Sequence, residues 1–590
     1  MKFGLSKKEL IIRVIFFIVV AIIFGVFVRR LFLGMDVGDE VFNICNSFRV
    51  LHGNRLLVDV WDFYQFGDCF LAPFVWIYVK IVGSTDGIVL ACRLFYLFIN
   101  VCVGVFAYWA LNDYFKSFYA RISVSLAIIF YAPFSMYYLW YDTAGQLFFL
   151  IGVLLLLKDM KSPKIRWKIL AGLFHCFMVI AYPSAIVVGL VELIIFFILN
   201  KKRKEKLGTF WYLMGWVIPV FLLLIYGIIQ KFDFYLFDNP ISNVNQTSET
   251  AVVHFNLIDI NLGELFSREA TGIVGKIWNS ITSLISIGSV KNLLLLVIFL
   301  ILFVIVIKFS WKRNIIWIRK VVYMIAGLAM FALALFFSEE DNRAVIFAYF
   351  FLAILLVAGL VADKDAIKNN KHIIVIAIIP SIVFFPIISM TATHGGSKAF
   401  MGLWVLSLMG LGIYVESGKF ILEKIKNYYS PIHLLCVLGL IVFLFNNQFF
   451  EYEGTAQNMN YYVDHGVYKG LTIPNEYAVF IDFEDEIKSI MSDDVESIAL
   501  FDEWPAAKYL AINGKKIQMP ESGRPYKYVE GMDYANFMTY WERFGFPDAI
   551  IIKNDPEWYD IQQIDKTPGC DYRQVKQSEK YIVFENKDVK

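Results

Sequence analysis

Three carboxylates fall within Met35-Asp36-Val37-Gly38-Asp39-Glu40, shortly beyond an apolar run from Leu10 to Val28 that only Arg13 interrupts. Acidic groups at the mouth of a membrane span are costly to hold beside lipid, so they signal a task. A partly desolvated carboxylate beside another carboxylate binds a proton more tightly, which suits a general base acting on a hydroxyl near neutral pH. Asp39 is the candidate base and Glu40 its assistant, with Asp36 in support. The same residues have a plainer use: Asp39 and Glu40 open a helix, where negative charge favours the dipole. The residues alone leave both uses open.

Other groups can join such chemistry. Asp59 follows in the same segment, and Asp142 lies in the short turn Trp140-Tyr141-Asp142-Thr143, where capping the next helix is its alternative role. A phosphate leaving group needs a cation, and Arg suits its oxygens bidentately and stays charged in a partly dry site. Arg343, in Ser338-Glu339-Glu340-Asp341-Asn342-Arg343, is the first candidate and Arg93 the second. Each has a structural alternative: Arg343 with Glu339 or Glu340, Arg93 with Asp59 or Asp62. Arg29 and Arg30 fit charges that snorkel to the interface. His52, His254, His394 and His465 show no metal-ligand spacing.

Positioning these groups requires membrane helices. The chain has 590 residues, of which 58% are hydrophobic, 17% aromatic and 18% charged, and its mean hydropathy is +0.60. Soluble domains hold about 45–50% apolar and about 25% charged residues, so this composition is that of a polytopic α-helical membrane protein. Runs such as Leu293–Ile307 and Ile373–Ile388 approach the ~20 apolar residues that a bilayer requires. A net charge of +2 gives no case for nucleic acid, because the basic residues sit between spans.

Basic clusters at Lys158–Lys168, Lys201–Lys206, Lys308–Lys320, Lys364–Lys371 and Lys419–Lys426 mark the cytoplasmic side. With the N-terminus also cytoplasmic, about 13 spans follow. They are 10–30, 86–111, 120–137, 143–157, 168–182, 184–200, 210–230, 289–308, 321–337, 345–362, 373–391, 399–415 and 433–449. Residues 1–449 form a transmembrane domain whose outer loops include 31–85, with the acidic motif, and 231–288.

Within 31–85, Val41, Ile44, Phe48 and Leu51 keep helical spacing and His52-Gly53-Asn54 makes a stop. Phe70 to Val82 is aromatic-rich, too short to span and stopped by Gly83, as suits a helix lying in the interface. Residues 273–290 are expected to form a third such helix. Tyr182-Pro183-Ser184 should break one span from the next, and Asn245-Gln246-Thr247 is a glycosylation sequon.

From 450 to 590 the composition becomes that of an extracytoplasmic α/β domain. Strands are predicted at Ser497–Phe501, Ala549–Ile552 and Lys580–Phe584, and helices at Glu484–Ser492 and Tyr534–Phe544. The domain has no Gly-rich phosphate loop and fits an accessory or acceptor-facing role. Seven cysteines are scattered without metal-binding spacing; Cys45 and Cys69, in one outer segment, are a candidate disulfide.

The ordered set Asp39-Glu40-Val41-Phe42, Phe48-Arg49-Val50-Leu51-His52-Gly53, Asp59, Phe70 to Gly83 and Arg93 resembles the amino-terminal third of GT-C glycosyltransferases. These include the protein O-mannosyltransferases and the lipid A aminoarabinose transferases. The likeness covers residues 10–200 by motif and the remainder by topology. It implies an inverting transfer in the cell membrane, from a polyprenyl-phosphate-linked sugar to a hydroxyl of a protein, lipid or cell-wall glycan. It also implies that Asp39 is the base or a metal ligand, that Asp142 lies near it, and that Arg343 meets the donor phosphate. A divalent cation held by Asp39 and Asp142 stays open. One departure is local: relatives carry Pro in the turn where this chain has Gln65-Phe66-Gly67-Asp68.

The alternative is a transporter or flippase of a lipid-linked sugar. Transporters place polar groups at midplane in broken helices and show internal repeats. Here the acidic residues gather at one face and no repeat is visible.

Overall fold

The computed structural model describes residues 7–56, 59–60, 65–133, 137–230, 234–236, 253–255, 320–321, 323–326, 355–356, 358–360, 365–391, 399–418, 458–512, 514–520, 522–523, 534–558, 564 and 571–586. Arg343, His394, the sequon, the 273–290 helix and the spans 289–308 and 433–449 lie outside these residues, as does most of 321–337 and 345–362.

The bundle is built from α1 (Lys7–Leu31), α2 (Asp39–Leu51), the single turn α3 (Gln65–Asp68), α4 (Ala72–Val82), α5 (Ile88–Ala110), α6 (Phe118–Ile129), α7 (Tyr141–Lys161), α8 (Ile165–Ala181), α9 (Ile186–Lys202), α10 (Gly208–Gln230), α11 (Ile379–Thr391) and α12 (Trp404–Ser417). Among the described residues six helices are long and apolar enough to cross a membrane: Glu9–Leu31, Ile88–Asp113, Tyr141–Lys161, Pro183–Lys202, Gly208–Ile229 and Lys371–Ile388. The chain is a multi-pass membrane protein.

Burial sorts these helices. On α1, Phe16, Ile23, Phe27 and Leu31 face inward at helical spacing, while Leu10, Val14, Phe17, Ile18 and Ile22 stay exposed as a lipid-facing stripe. On α7 nearly every side chain is buried, which makes it the hub of the bundle. Small residues allow the tightest contacts, as is usual between helices in lipid. A Cβ on Gly172 of α8 would stand 1.9 Å from the Tyr212 carbonyl oxygen of α10, and one on Gly215 would stand 2.1 Å from the Ile169 carbonyl oxygen.

Two helix ends differ from expectation. The predicted span 120–137 is helical only to Ile129, because Pro133 disfavours helix in the residue before it and cannot donate within one. Residues 130–132 and 137–140 beyond it are buried all the same. The predicted span 143–157 is longer, running from Tyr141 to Lys161. Between α8 and α9 the chain does break at Tyr182-Pro183, through a short 3-10 turn at Pro183–Ala185.

Beyond α10 lies a short antiparallel pair, β1 (Phe234–Leu236) with β2 (Val253–Phe255); the carboxyl-terminal module holds another, β3 (Tyr461–Tyr462) with β4 (Thr472–Ile473), and a five-stranded sheet in the order β6-β5-β7-β9-β8. These are β5 (Ser497–Phe501), β6 (Lys516–Ile517), β7 (Ala549–Lys553), β8 (Tyr572–Gln577) and β9 (Tyr581–Asn586). β6, β5 and β7 run parallel, and the β8–β9 hairpin adds antiparallel to β7. Helices α13 (Ala478–Ile490), α14 (Pro505–Ala511) and α15 (Tyr534–Phe544) complete it. A near-continuous apolar run, as in Ala549-Ile550-Ile551-Ile552, is what a strand covered on both faces requires.

Candidate active site

The acidic motif links α1 to α2, at the end of the bundle where α5 and α7 begin. Asp36 serves the backbone: its carboxylate accepts from the Gly38 amide at 2.8 Å and the Glu40 amide at 3.2 Å. These are two of the donors that a helix start leaves without partners, so Asp36 caps α2 from two residues before its cap position. Val41, Ile44, Cys45 and Phe48 bury the other side of the helix. It stops at His52-Gly53 as expected, with Gly53 at φ +86° and the Asn54 amide returning to the Arg49 carbonyl.

Glu40 and Arg93 form a buried, two-pronged ion pair. Arg93 Nε donates to Glu40 Oε1 at 2.7 Å and Nη2 to Oε2 at 2.6 Å. Arg93 Nη1 also donates to the carbonyls of Leu31, Leu33 and Gly34 at 2.9, 3.2 and 3.1 Å. Among the described residues the carboxylate that meets Arg93 is Glu40 rather than the expected Asp59, and Asp62 lies outside those residues. This geometry holds α2 against α5 and ties Arg93 to the backbone before the motif.

Asp59 is engaged locally. It accepts from Arg55 Nε at 3.1 Å, Nη2 at 2.7 Å and the Arg55 amide at 2.9 Å. Asp39 stands apart in exposure: Asp36, Glu40 and Asp59 are buried, whereas Asp39 is half-buried at the first turn of α2. Its backbone carbonyl accepts from Asn43 Nδ2 at 2.7 Å.

Asp142 is buried in the first turn of α7 but is not the cap. Trp140 holds that position, and Thr143 Oγ1 accepts its amide at 2.8 Å while donating to the Tyr138 carbonyl at 2.9 Å. The variant turn Gln65–Asp68 rests on the same place. A Cβ on Gly67 would lie 2.6 Å from the Tyr141 Cα, so only glycine lets the turn pass this close. The Asp68 carboxylate accepts from Asn46 Nδ2 at 3.1 Å, and its carbonyl accepts from Ser47 Oγ at 2.9 Å, tying the turn to α2.

Arg30 departs from the snorkelling expectation. It is 2% exposed, lies over the Tyr137 ring at 5.6 Å and donates to the Leu33 carbonyl at 3.0 Å. The Tyr137 hydroxyl in turn lies within electrostatic reach of Arg30, Arg93 and Glu40. Sequence alone does not single out Tyr137, one of several aromatics around Pro133, and an Arg at the end of a span looks the same whether it turns inward or to headgroups.

Cys45 and Cys69 are both free thiols, so the candidate disulfide does not form. Cys45 is buried in the face of α2, and that burial pushes its thiol up to about 12. Among the described residues no three His, Cys, Asp or Glu side chains gather as a metal-ligating group. His465 contacts Asp464 and lies 2.8 Å from Asp485 in an exposed trio of the carboxyl-terminal module.

No family model matches the chain, and no curated protein matches it. Solved structures similar to the chain include two of one protein. ArnT from Cupriavidus metallidurans in the apo state aligns over 96% of this chain and 97% of its own, at 11% identity and a TM-score of 0.38. The same protein bound to undecaprenyl phosphate aligns over the same shares at 12% identity and a TM-score of 0.42. A likeness of this size assigns no role to any residue.

Proposed function

We propose that the chain is an inverting membrane glycosyltransferase of GT-C type, which moves a sugar from a polyprenyl-phosphate donor to an acceptor hydroxyl at the extracytoplasmic face. The observation that carries this is the position of Asp39. It is the half-exposed carboxylate of the motif, held at the end of an apolar bundle by a helix anchored from both sides.

In the proposed reaction Asp39 accepts the proton of the acceptor hydroxyl as its oxygen attacks the anomeric carbon. The bond from that carbon to the phosphate oxygen breaks, and polyprenyl phosphate leaves with the electron pair. Attack from the face opposite the leaving group inverts the configuration. The inward guanidinium of Arg30 supplies positive charge near this end of the bundle, and Arg343 is the further cation that sequence nominates. The polyprenyl chain is a lipid, so a membrane-embedded bundle can hold it without a nucleotide pocket. Glu40, Arg93, Asp36 and Asp59 position the motif.

The test incubates purified protein with radiolabelled polyprenyl-phosphate sugars and compares wild type with Asp39→Asn. General-base loss should lower transfer by about 10²-fold or more while the protein stays folded. Equal transfer by both would remove Asp39 from the mechanism. Absence of transfer with every donor, accompanied by flux of lipid-linked sugar in vesicles, would mark a transporter instead.

A further inference from the structure

The end of α2 remote from the carboxylates is buried against the carboxyl-terminal module. Arg49, ten residues beyond Asp39 and about 15 Å along the helix, is fully buried. Its Nη2 donates to the Met519 carbonyl and, at 3.5 Å, to that of Asp59; Nη1 reaches the Pro520 carbonyl at 3.4 Å. Among the described residues no carboxylate forms an ion pair with it. A buried cation without an anion is tolerable only where dipoles replace its lost water. Here most of those dipoles belong to the segment that follows β6.

The contact continues on both sides of Arg49. Ser522 Oγ donates to Asn46 Oδ1 at 2.9 Å, and Asn54 Nδ2 donates to the Ile517 carbonyl at 3.0 Å. Gly523 lies against Phe42 so closely that a Cβ would stand 2.3 Å from the ring. The Tyr540 hydroxyl donates to the Asp59 carbonyl at 2.8 Å. Ahead of the motif the module takes hold again: the Gly34 amide donates to the Thr472 carbonyl at 2.9 Å, and the Thr472 amide to the Phe32 carbonyl at 2.8 Å.

We propose that the carboxyl-terminal module is a structural part of the active site and that Arg49 is its positioning residue. Seated in the Met519 and Pro520 carbonyls, it fixes the far end of α2 and thereby the placement of Asp39. The helix has two anchors, Glu40 on Arg93 at one end and Arg49 on the module at the other. Release of either lets the helix swing and carries Asp39 with it. The catalytic part of this inference rests on the glycosyltransferase reading; the mechanical part does not.

The test therefore uses two readouts on the full chain in lipid nanodiscs. Hydrogen exchange of the amides in 38–46 reports the anchoring of α2 without any substrate. Arg49→Met should speed that exchange at least about tenfold, the effect of losing hydrogen bonds to a charged group, while peptides of α7 stay unchanged. Arg49→Lys keeps the charge but not the planar fork, and should fall between Arg49→Met and wild type. Ser522→Ala, a milder change in the same contact, should move exchange in the same direction by a smaller factor. With a polyprenyl-phosphate sugar, Arg49→Lys should lower kcat and leave KM for the donor within about twofold, because the donor is not touched. Unchanged exchange at 38–46 in folded Arg49→Lys and Ser522→Ala protein would overturn the proposal, even if Arg49→Met fails to assemble. Changed exchange with no transfer by wild type would leave the brace standing and sink only the glycosyltransferase reading.

Discussion

The Glu40–Arg93 pair makes the sharpest test of what the acidic motif is for. Both side chains are almost wholly buried, at 2% and 5% exposure, and five hydrogen bonds converge on the arginine. Removing one partner of a buried pair strands the other charge and typically costs about 3–5 kcal/mol. Arg93→Met leaves the Glu40 carboxylate without its cation and takes the Arg93 donor from the Leu31 and Gly34 carbonyls, while Leu33 keeps Arg30, so it belongs at the upper end. Glu40→Gln leaves the arginine its three carbonyls and keeps the side-chain shape, so about 2–3 kcal/mol is expected. The double variant Glu40→Gln with Arg93→Met removes both charges together, and its loss should fall short of the summed single losses by about 2 kcal/mol or more.

The assay is thermal or denaturant unfolding of the four proteins in one detergent, with transfer measured on each. If Glu40 only positions α2, transfer should track stability: weak in the single variants and partly recovered in the double variant. Additive stability losses would refute the pairing. Loss of transfer in Glu40→Gln at unchanged stability would refute the positioning role and return Glu40 to the chemistry.

Other consequences are equally direct. Glu484 on α13 is held at about 8 by burial, with its Oε2 accepting only the Val467 amide. Because the folded protein holds this proton more tightly than the unfolded chain, stability is unaffected below about pH 4.5 and then falls by about 1.4 kcal/mol per pH unit up to about pH 8. Unfolding between pH 5 and 9 should show this slope, and Glu484→Gln should flatten it. Gly67→Ala forces a Cβ to within 2.6 Å of the Tyr141 backbone and should cost about 1–3 kcal/mol, read as a lowered unfolding midpoint. At the opposite end of the bundle Lys168 bonds Asp159 at 3.0 Å and Glu205 at 2.5 Å, with Asp159 fully buried. Lys168→Met leaves Asp159 with Arg203, 3.0 Å away, and should therefore cost about 1.5–3 kcal/mol in the same assay, while loss of the partly exposed Lys158–Asp113 pair should cost under about 1 kcal/mol.

What could be seen in the sequence follows from which interactions are local. Apolar length marks α1, α5 and α10, and the 3.6-residue spacing with a glycine stop marks α2, because burial and chain reversal impose those patterns on neighbours in sequence. The three main strands of the carboxyl-terminal sheet are equally plain as Val- and Ile-rich runs, whereas β6 and β8 are not, being two residues long in one case and exposed on most positions in the other. Charge partners are a different matter. Glu40 meets Arg93 across 53 residues and Arg49 meets the Met519 carbonyl across 470, and no spacing rule predicts either contact. A carboxylate cluster in a sequence therefore looks like three equal candidates. Only the fold separates the members that are buried from the one that keeps partial exposure. That sorting, applied to Asp36, Glu40 and Asp59 in turn, is what leaves Asp39 as the proposed base, and it places the anchors of that base on α5 and on a module more than four hundred residues away.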